Sequence, residues 1–287
     1  MQYNLFDKFK NITLQHRRLT ILILSSIILV IFFSILGHSF AYKYKESNEE
    51  FDEIQQLINE IKENDKEIIN QTKVVEIARD VKGVDVSGWQ GKIDWQALKN
   101  TGIDFAMIRV GVRKISDGEI VEDSYFRYNI QQANYYNVPV GVYFFSSATN
   151  EYEVLEEATF TLNLIKDYQI TYPVAYDFES FGSGRVSKIS DEIINYNALV
   201  FLDYMKAHGY NGMLYGNKTA MEMRWDLSRF GDYKTWLAHY MDGVSYKGSY
   251  DMWQYTDIGR VEGILANVDL NEAYFAYEIE KVKEDYE

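Results

Sequence analysis

Polar and apolar positions along this chain fall into three regimes. Residues 19–36 (LTILILSSIILVIFFSIL) carry no charge, and extension to residue 40 reaches the roughly 20 apolar residues needed to cross a bilayer. Lys8, Lys10, Arg17 and Arg18 precede the run and Lys43 and Lys45 follow it. That asymmetry predicts a cytoplasmic segment over 1–18 and an outward-facing remainder. The run is longer than a signal-peptide core, and Ser39-Phe40-Ala41 makes a poor cleavage site. The pattern therefore predicts a retained single-pass membrane anchor over 19–40. Residues 46–80 are polar, strongly charged and free of Gly and Pro, with Phe51, Ile54, Ile58, Ile61, Ile68 and Val75 spaced largely in threes, fours and sevens. This is a helical stripe, interrupted at Asp65 and Thr72. It predicts a helical stalk over 41–81, with about 45 Å of reach for a helix of about 30 residues. The broken seam makes self-association the weaker part of that reading, beside a place in a membrane complex.

From residue 82 the period changes. Short apolar runs at 83–86, 105–110, 138–145, 174–178, 212–215, 235–239, 251–254 and 263–268 read as strands. Amphipathic stretches at 95–100, 123–136, 151–167 and 191–208 read as helices. Strand and helix alternate early, which implies parallel strands joined by crossovers. Helices shorten after Tyr215. The expectation over 82–287 is an α/β domain: an irregular eight-stranded β/α barrel, TIM-barrel-like, helix-poor in its last strands. The two prolines, Pro139 and Pro173, fall at strand starts, where a missing N–H does least harm.

Charge sharpens the picture. Residues 1–45 balance at +5 within an overall −14, which leaves −19 for the rest. So acidic a body argues against nucleic-acid binding, which depends on phosphate neutralisation. The absence of cysteine excludes disulfides and thiolate metal sites.

The chemistry concentrates in Tyr172-Pro-Val-Ala-Tyr-Asp-Phe-Glu-Ser180. Alternation along a strand projects Asp177 and Glu179 to one side and Phe178 to the other. Two adjacent carboxylates at the end of a buried strand repel each other and resist desolvation, an arrangement suited to glycosidic bond cleavage. Asp85 ends the first predicted strand and Asp269 follows the last. Strands one and eight are neighbours in a closed barrel, so the four acids are expected around one pocket mouth, at the strand ends where barrel enzymes keep their chemistry. Taken singly, Asp85 could cap a turn with Ser87 and Asp269 could cap a final helix. A carboxylate ring also suits Mg²⁺ or Ca²⁺, but no calcium loop or phosphate cradle is present in the sequence, and neither metal nor cofactor is expected. Among the four histidines, only His239, at a strand end, is a pocket candidate, and a structural role suits it better.

The segments Gly83-Val-Asp-Val-Ser-Gly-Trp-Gln-Gly-Lys-Ile-Asp-Trp95, Phe105-Ala-Met-Ile-Arg-Val-Gly111, Val140-Gly-Val-Tyr-Phe-Phe-Ser146, Pro173-Val-Ala-Tyr-Asp-Phe-Glu179 and Met252-Trp-Gln-Tyr-Thr256 together resemble the ordered motifs of the glycoside hydrolase family 25 lysozymes, or muramidases. The resemblance implies cleavage of the β-1,4 bond between N-acetylmuramic acid and N-acetylglucosamine in peptidoglycan. It implies Glu179 as the acid, Asp177 as the group that orients or stabilises the substrate acetamido, and Asp85 and Asp269 as further pocket acids. Sugar contacts are implied for Tyr143, Arg109, Tyr215, Trp253 and Gln254. Many members carry Tyr-His-Phe where this chain has Tyr143-Phe144-Phe145, which implies an altered pocket contact. Chitinase-type hydrolases carry a longer acidic run, and Tyr172 and Ala175 occupy its first two acid positions here. With the anchor, the whole predicts a membrane-bound peptidoglycan hydrolase whose catalytic domain is extracellular and faces the cell wall. The alternative is a catalytically weak, wall-glycan-binding scaffold of a membrane-spanning complex.

Overall fold

The computed structural model describes residues 72–179 and 184–281. Every described residue belongs to one compact unit. The expected cytoplasmic segment, the membrane span over 19–40 and the stalk up to residue 71 lie outside the described residues. No helix among the described residues is long and apolar enough to cross a membrane.

The stalk reading fails at its end. Thr72–Ile77 forms a strand, β1, rich in β-branched residues, and the domain therefore begins at least ten residues before position 82. There follow β2 (Val81–Val86), α1 (Trp95–Lys99), β3 (Phe105–Arg113), β4 (Ile120–Glu122), α2 (Phe126–Tyr135), β5 (Val140–Phe145), α3 (Glu151–Ile165) and β6 (Val174–Asp177). The second half holds α4 (Asp191–Ala207), β7 (Gly212–Asn217), α5 (Lys218–Met223), β8 (Lys234–Ala238), β9 (Met252–Gly259), β10 (Val268–Ala273) and β11 (Ala276–Lys281). Local chemistry starts the helices: the side chains of Asp94, Asn150 and Ser190 accept backbone N–H bonds at the first turns of α1, α3 and α4. Glu151 and Glu153, and Asp191 and Glu192, place negative charge at the positive ends of α3 and α4.

The sheet runs β2-β10-β9-β8-β7-β6-β5-β3-β4, and a β2–β3 pairing closes eight of these strands into a barrel with β4 as an outlying edge. From β2 round to β9 neighbours run parallel. β10 is antiparallel to both β9 and β2. The last strand was expected at 263–268, but it begins where that range ends. Gly263 sits in a turn at φ +94, and an added Cβ there would lie 2.5 Å from the Asp94 carbonyl oxygen. Ile264 is buried from this loop, which explains the misleading apolar signal.

Strand alternation divides the core in two. Outward residues such as Val84, Ile108, Phe144, Tyr176 and Phe178 pack beneath the helices, while Phe105, Met107, Ala175, Met213, Trp236 and Met252 fill the barrel interior. Tyr172 stacks on Phe105 with ring centroids 4.4 Å apart and meets Phe275 and Tyr277 near the barrel floor. Gly83 permits that stack, since a Cβ at this position would lie 2.3 Å from the Phe105 ring. β1 and β11 form a separate antiparallel ribbon, tied to the start of β8 by Glu76 and Lys234 at 2.7 Å.

Candidate active site

The barrel topology gathers the acids. β2 ends just after Asp85 and β6 ends at Asp177, so both point inward at the C-terminal rim of the parallel strands. Because β10 runs the opposite way, its beginning lies at this same rim, and Asp269 pairs directly with Asp85. Asp85, Asp177, Glu179 and Asp269 line one cavity of about 310 Å³, together with Arg109, Tyr143, Tyr215, Trp236 and Gln254. Phe178 turns away into the helix-side core, as strand alternation requires.

Gln254 organises one wall. Its Nε2 donates to Asp85 Oδ2 at 2.8 Å and to Asp269 Oδ2 at 3.3 Å. Its Oε1 accepts from Tyr215 and Tyr240 hydroxyls at 3.0 and 2.7 Å. Both ends of the amide are thus committed, which fixes its orientation. Asn271 Nδ2 donates to Asp85 Oδ2 at 2.7 Å and is itself held by Trp236 Nε1 at 2.8 Å. On the other side, buried Asp123 receives Arg109 Nε at 2.8 Å and the Gly88 amide at 2.9 Å. Asp123 thereby anchors both the cavity's arginine and the Ser87–Gln90 turn.

Electrostatics set the protonation. Burial raises the Asp177 carboxyl well above its ordinary value, and Glu179 and Asp85 add to this while Arg109 opposes it. Its Oδ1 is buried and meets no donor among the described residues. Burial also raises Asp85, against the hydrogen bonds from Asn271 and Gln254. Surrounding protein, then the Asp269 charge, raise Glu179, although it stands exposed at the rim. Asp269 is pushed up to about 8, by burial first and Asp85 second. Burial and mutual repulsion thus both oppose full ionisation of the cluster, and its members titrate as a coupled set.

Most of the expected residues come together here, and Trp253 is the exception. Gln254 points inward, so its neighbour Trp253 faces outward, donating from Nε1 to the His239 carbonyl at 2.9 Å beside Tyr240 and Tyr255. The Phe144 position is likewise no pocket contact: it is fully buried against Phe160 and Phe201 under the helices and does not line the cavity. Asp85 caps nothing; Ser87 caps the following turn, and Asp269 lies in a strand. His239 stays outside the cavity. Sequence reasoning missed Trp89, Gln90, Phe145, Trp236, Asn271 and Asp123. The first two stood within the quoted Gly83–Trp95 motif. Asn271 lay two residues beyond Asp269, the alternation that would have shown it had the strand been placed correctly.

A profile of the family described as Glycosyl hydrolases family 25 matches residues 84–264. The chain belongs to this family. It is therefore a glycoside hydrolase, and the cavity described above is its candidate active site. It is 27% identical over 198 residues to the "Uncharacterized protein YegX" of Escherichia coli K12, covering 67% of this chain and 68% of that one. It is 29% identical over 215 residues to "Lysozyme M1" of Streptomyces globisporus, covering 67% of each. Among solved structures, the modular autolysin LytC of Streptococcus pneumoniae, in complex with a synthetic peptidoglycan ligand, superposes with a TM-score of 0.61 at 26% identity. That match covers 68% of this chain and 47% of LytC, so the chain spans about half the length of the autolysin.

The Asp85–Asp269 pair gives this family 25 hydrolase a pH signature. A carboxyl near 3.9 in the unfolded chain and about 8 when folded binds its proton more tightly in the native state. Its contribution is then complete below pH 4 and lost as pH rises toward 8. Asp269→Asn is expected to flatten the decline of stability across that window, read by urea unfolding at intervals from pH 4 to 9. An unchanged slope would show that Asp269 titrates normally.

Proposed function

We propose that this hydrolase is a membrane-anchored muramidase, cleaving the β-1,4 bond between N-acetylmuramic acid and N-acetylglucosamine with Glu179 as general acid. The observation that carries this reading is the pairing of Glu179, raised in pKa and open to solvent at the rim, with Asp177, whose buried Oδ1 meets no donor among the described residues. Glu179 gives its proton to the leaving glycosidic oxygen as the bond to the anomeric carbon breaks. Asp177 Oδ1 accepts the substrate acetamido N–H and turns that group's carbonyl oxygen toward the anomeric carbon. The oxygen attacks there, and the resulting positive ring is stabilised by the carboxylate. Water, deprotonated by Glu179, then opens the ring and restores the acid. Such substrate-assisted hydrolysis needs no protein nucleophile. Arg109, fixed by Asp123, supplies the cavity with a cation that favours ionised Asp177.

The anchor rests on the uncharged run over 19–40. The ribbon of β1 and β11 meets the barrel at the start of β8, the end opposite the cavity. Mass analysis of peptidoglycan digested by the full chain is expected to show products with reducing-end N-acetylmuramic acid. Reducing-end N-acetylglucosamine would overturn the bond assignment. Full-length chain should resist alkaline extraction from membranes, and release into the supernatant would overturn the anchor.

A further inference from the structure

Behind β6, on the side away from the cavity, lies a second acid that the mechanism above does not use. Glu157 on α3 is fully buried in the helix-side layer. Its Oε1 accepts from Arg113 Nε at 2.7 Å, and its Oε2 accepts from Ser146 Oγ at 2.7 Å. Ser146 Oγ in turn lies 2.9 Å from the Tyr176 hydroxyl and accepts the Ala148 amide at 3.1 Å. The Ser146 backbone N–H donates to the Asp177 carbonyl oxygen at 2.7 Å. One chain of contacts therefore reaches from α3 through the end of β5 to the residue before Asp177 and to the peptide after it.

We propose that Glu157 is a positioning residue that sets the alignment of the Asp177–Glu179 segment through Ser146 and Tyr176. The proposal rests on the reading of Asp177 and Glu179 as reacting groups.

The direction of the hydrogens carries the argument. With Glu157 ionised, Arg113 and Ser146 both donate to it, and Ser146 Oγ is left to accept from Ala148 and Tyr176. Every polar atom in the chain is then satisfied. With Glu157 protonated on Oε2, that oxygen must donate to Ser146, whose own hydrogen swings onto the Tyr176 oxygen. The Tyr176 hydrogen then has no acceptor among the described residues, a costly state in a fully buried pocket that moves the ring or the strand carrying it. The charge state of Glu157 is thus read out at the strand end that bears the reacting carboxyls.

The other charged and titratable groups facing Glu157 are few. Arg113 comes from β3, where it also holds the Gly118 and Glu153 carbonyl oxygens and the Glu156 carboxylate. Tyr176 comes from β6, and burial, then Glu157 itself, raise its hydroxyl. Glu153, on the same helix, is pulled down to about 2 against its burial by Arg185 and the Thr149 bonds, so it stays ionised. Arg185, from the turn after Glu179, pairs with Glu153 at 2.8 Å and donates to the Ser147 carbonyl oxygen at 2.9 Å. Burial pushes Glu157 up to about 7 while Ser146 and Arg113 pull it down, which places its titration in the working range of a hydrolase.

The test uses the full chain with soluble glycan fragments of peptidoglycan, measuring kcat and KM between pH 5 and 9. Tyr176→Phe removes one oxygen from the chain and keeps the ring, so it preserves the packing. It is expected to lower kcat roughly tenfold with KM within about twofold, since sub-ångström misalignment acts on the chemical step. Glu157→Gln is expected to lower kcat similarly and to abolish the inflection near pH 7 expected of the wild-type profile. Wild-type kcat in Tyr176→Phe, or an inflection retained in Glu157→Gln, would overturn the positioning role. Should Glu157→Gln fail to fold, Tyr176→Phe decides alone. Loss of activity in Glu179→Gln alongside an unaltered Tyr176→Phe sinks the positioning role only, whereas an active Glu179→Gln sinks the reading of the carboxyl pair.

Discussion

Glu179→Gln is expected to lower kcat on peptidoglycan by about 10²- to 10⁴-fold with little change in KM. The amide keeps the size and polarity of the side chain but cannot deliver a proton to a leaving oxygen. Glu179 is raised by its surroundings and by the Asp269 charge, which keeps a protonated fraction available at higher pH than a free carboxyl would allow. Wild-type activity should accordingly fall on the alkaline side as this proton is lost. The measurement is release of new reducing ends by the full chain. Retention of more than half the wild-type rate would exclude Glu179 as the acid and shift the role to another member of the carboxyl cluster.

The largest effect on stability is expected at Arg113. Its side chain is buried and bonds Glu157, the Gly118 carbonyl oxygen and the Glu153 carbonyl oxygen, each at 2.7 Å. Arg113→Ala leaves two carbonyl groups short of a donor and a buried carboxylate without its cation. Breaking such a pair costs about 3 to 5 kcal/mol when the remaining charge stays in place. Here the charge can leave by protonation, so the cost depends on pH. Glu157 already stands at about 7 with Arg113 present, and loss of the guanidinium raises it further. A carboxyl raised in the folded state loses its contribution as pH climbs toward that folded value. The variant should therefore be most damaged near pH 8 and less so at pH 5, where Glu157 is neutral in either protein. Urea unfolding at the two pH values checks this, and equal losses at both would show that the lost carbonyl bonds dominate.

How far the sequence reaches can be followed residue by residue. Asp177 and Glu179 are legible because a strand alternates with period two, and that period needs no knowledge of the neighbours. The early strands and helices are legible for the same reason, helped by Asp94, Asn150 and Ser190 at helix starts. Trp253 shows the limit of a motif read without its strand. Adjacent residues on β9 face opposite ways, and only the placement of Gln254 against Asp85 decides which of the two enters the cavity. Asp269 was assigned to the correct rim for an incomplete reason. It begins its strand instead of following it, and it reaches the rim because β10 runs antiparallel to its neighbours.

Thr72–Ile77 shows the opposite difficulty. Its apolar spacing extends a helical stripe, and nothing nearby contradicts that period. Its strand form depends on pairing with β11, some two hundred residues away in the chain. The Arg113–Glu157–Ser146–Tyr176 chain was equally invisible, since its members lie on three elements and the loop after β5, and each alone reads as an ordinary polar residue near an apolar run.

The sequence by itself determined the carboxylate pair, the alternating architecture, the family resemblance and the expectation of an anchor, because each depends on local period, composition or ordered motif. Tertiary structure alone decided that Asp85 and Asp269 pair, that Gln254 joins them, that Trp253 turns outward, and that Glu157 stands behind the reacting strand. Those outcomes follow from strand direction, register and burial, which arise only when distant segments close the barrel.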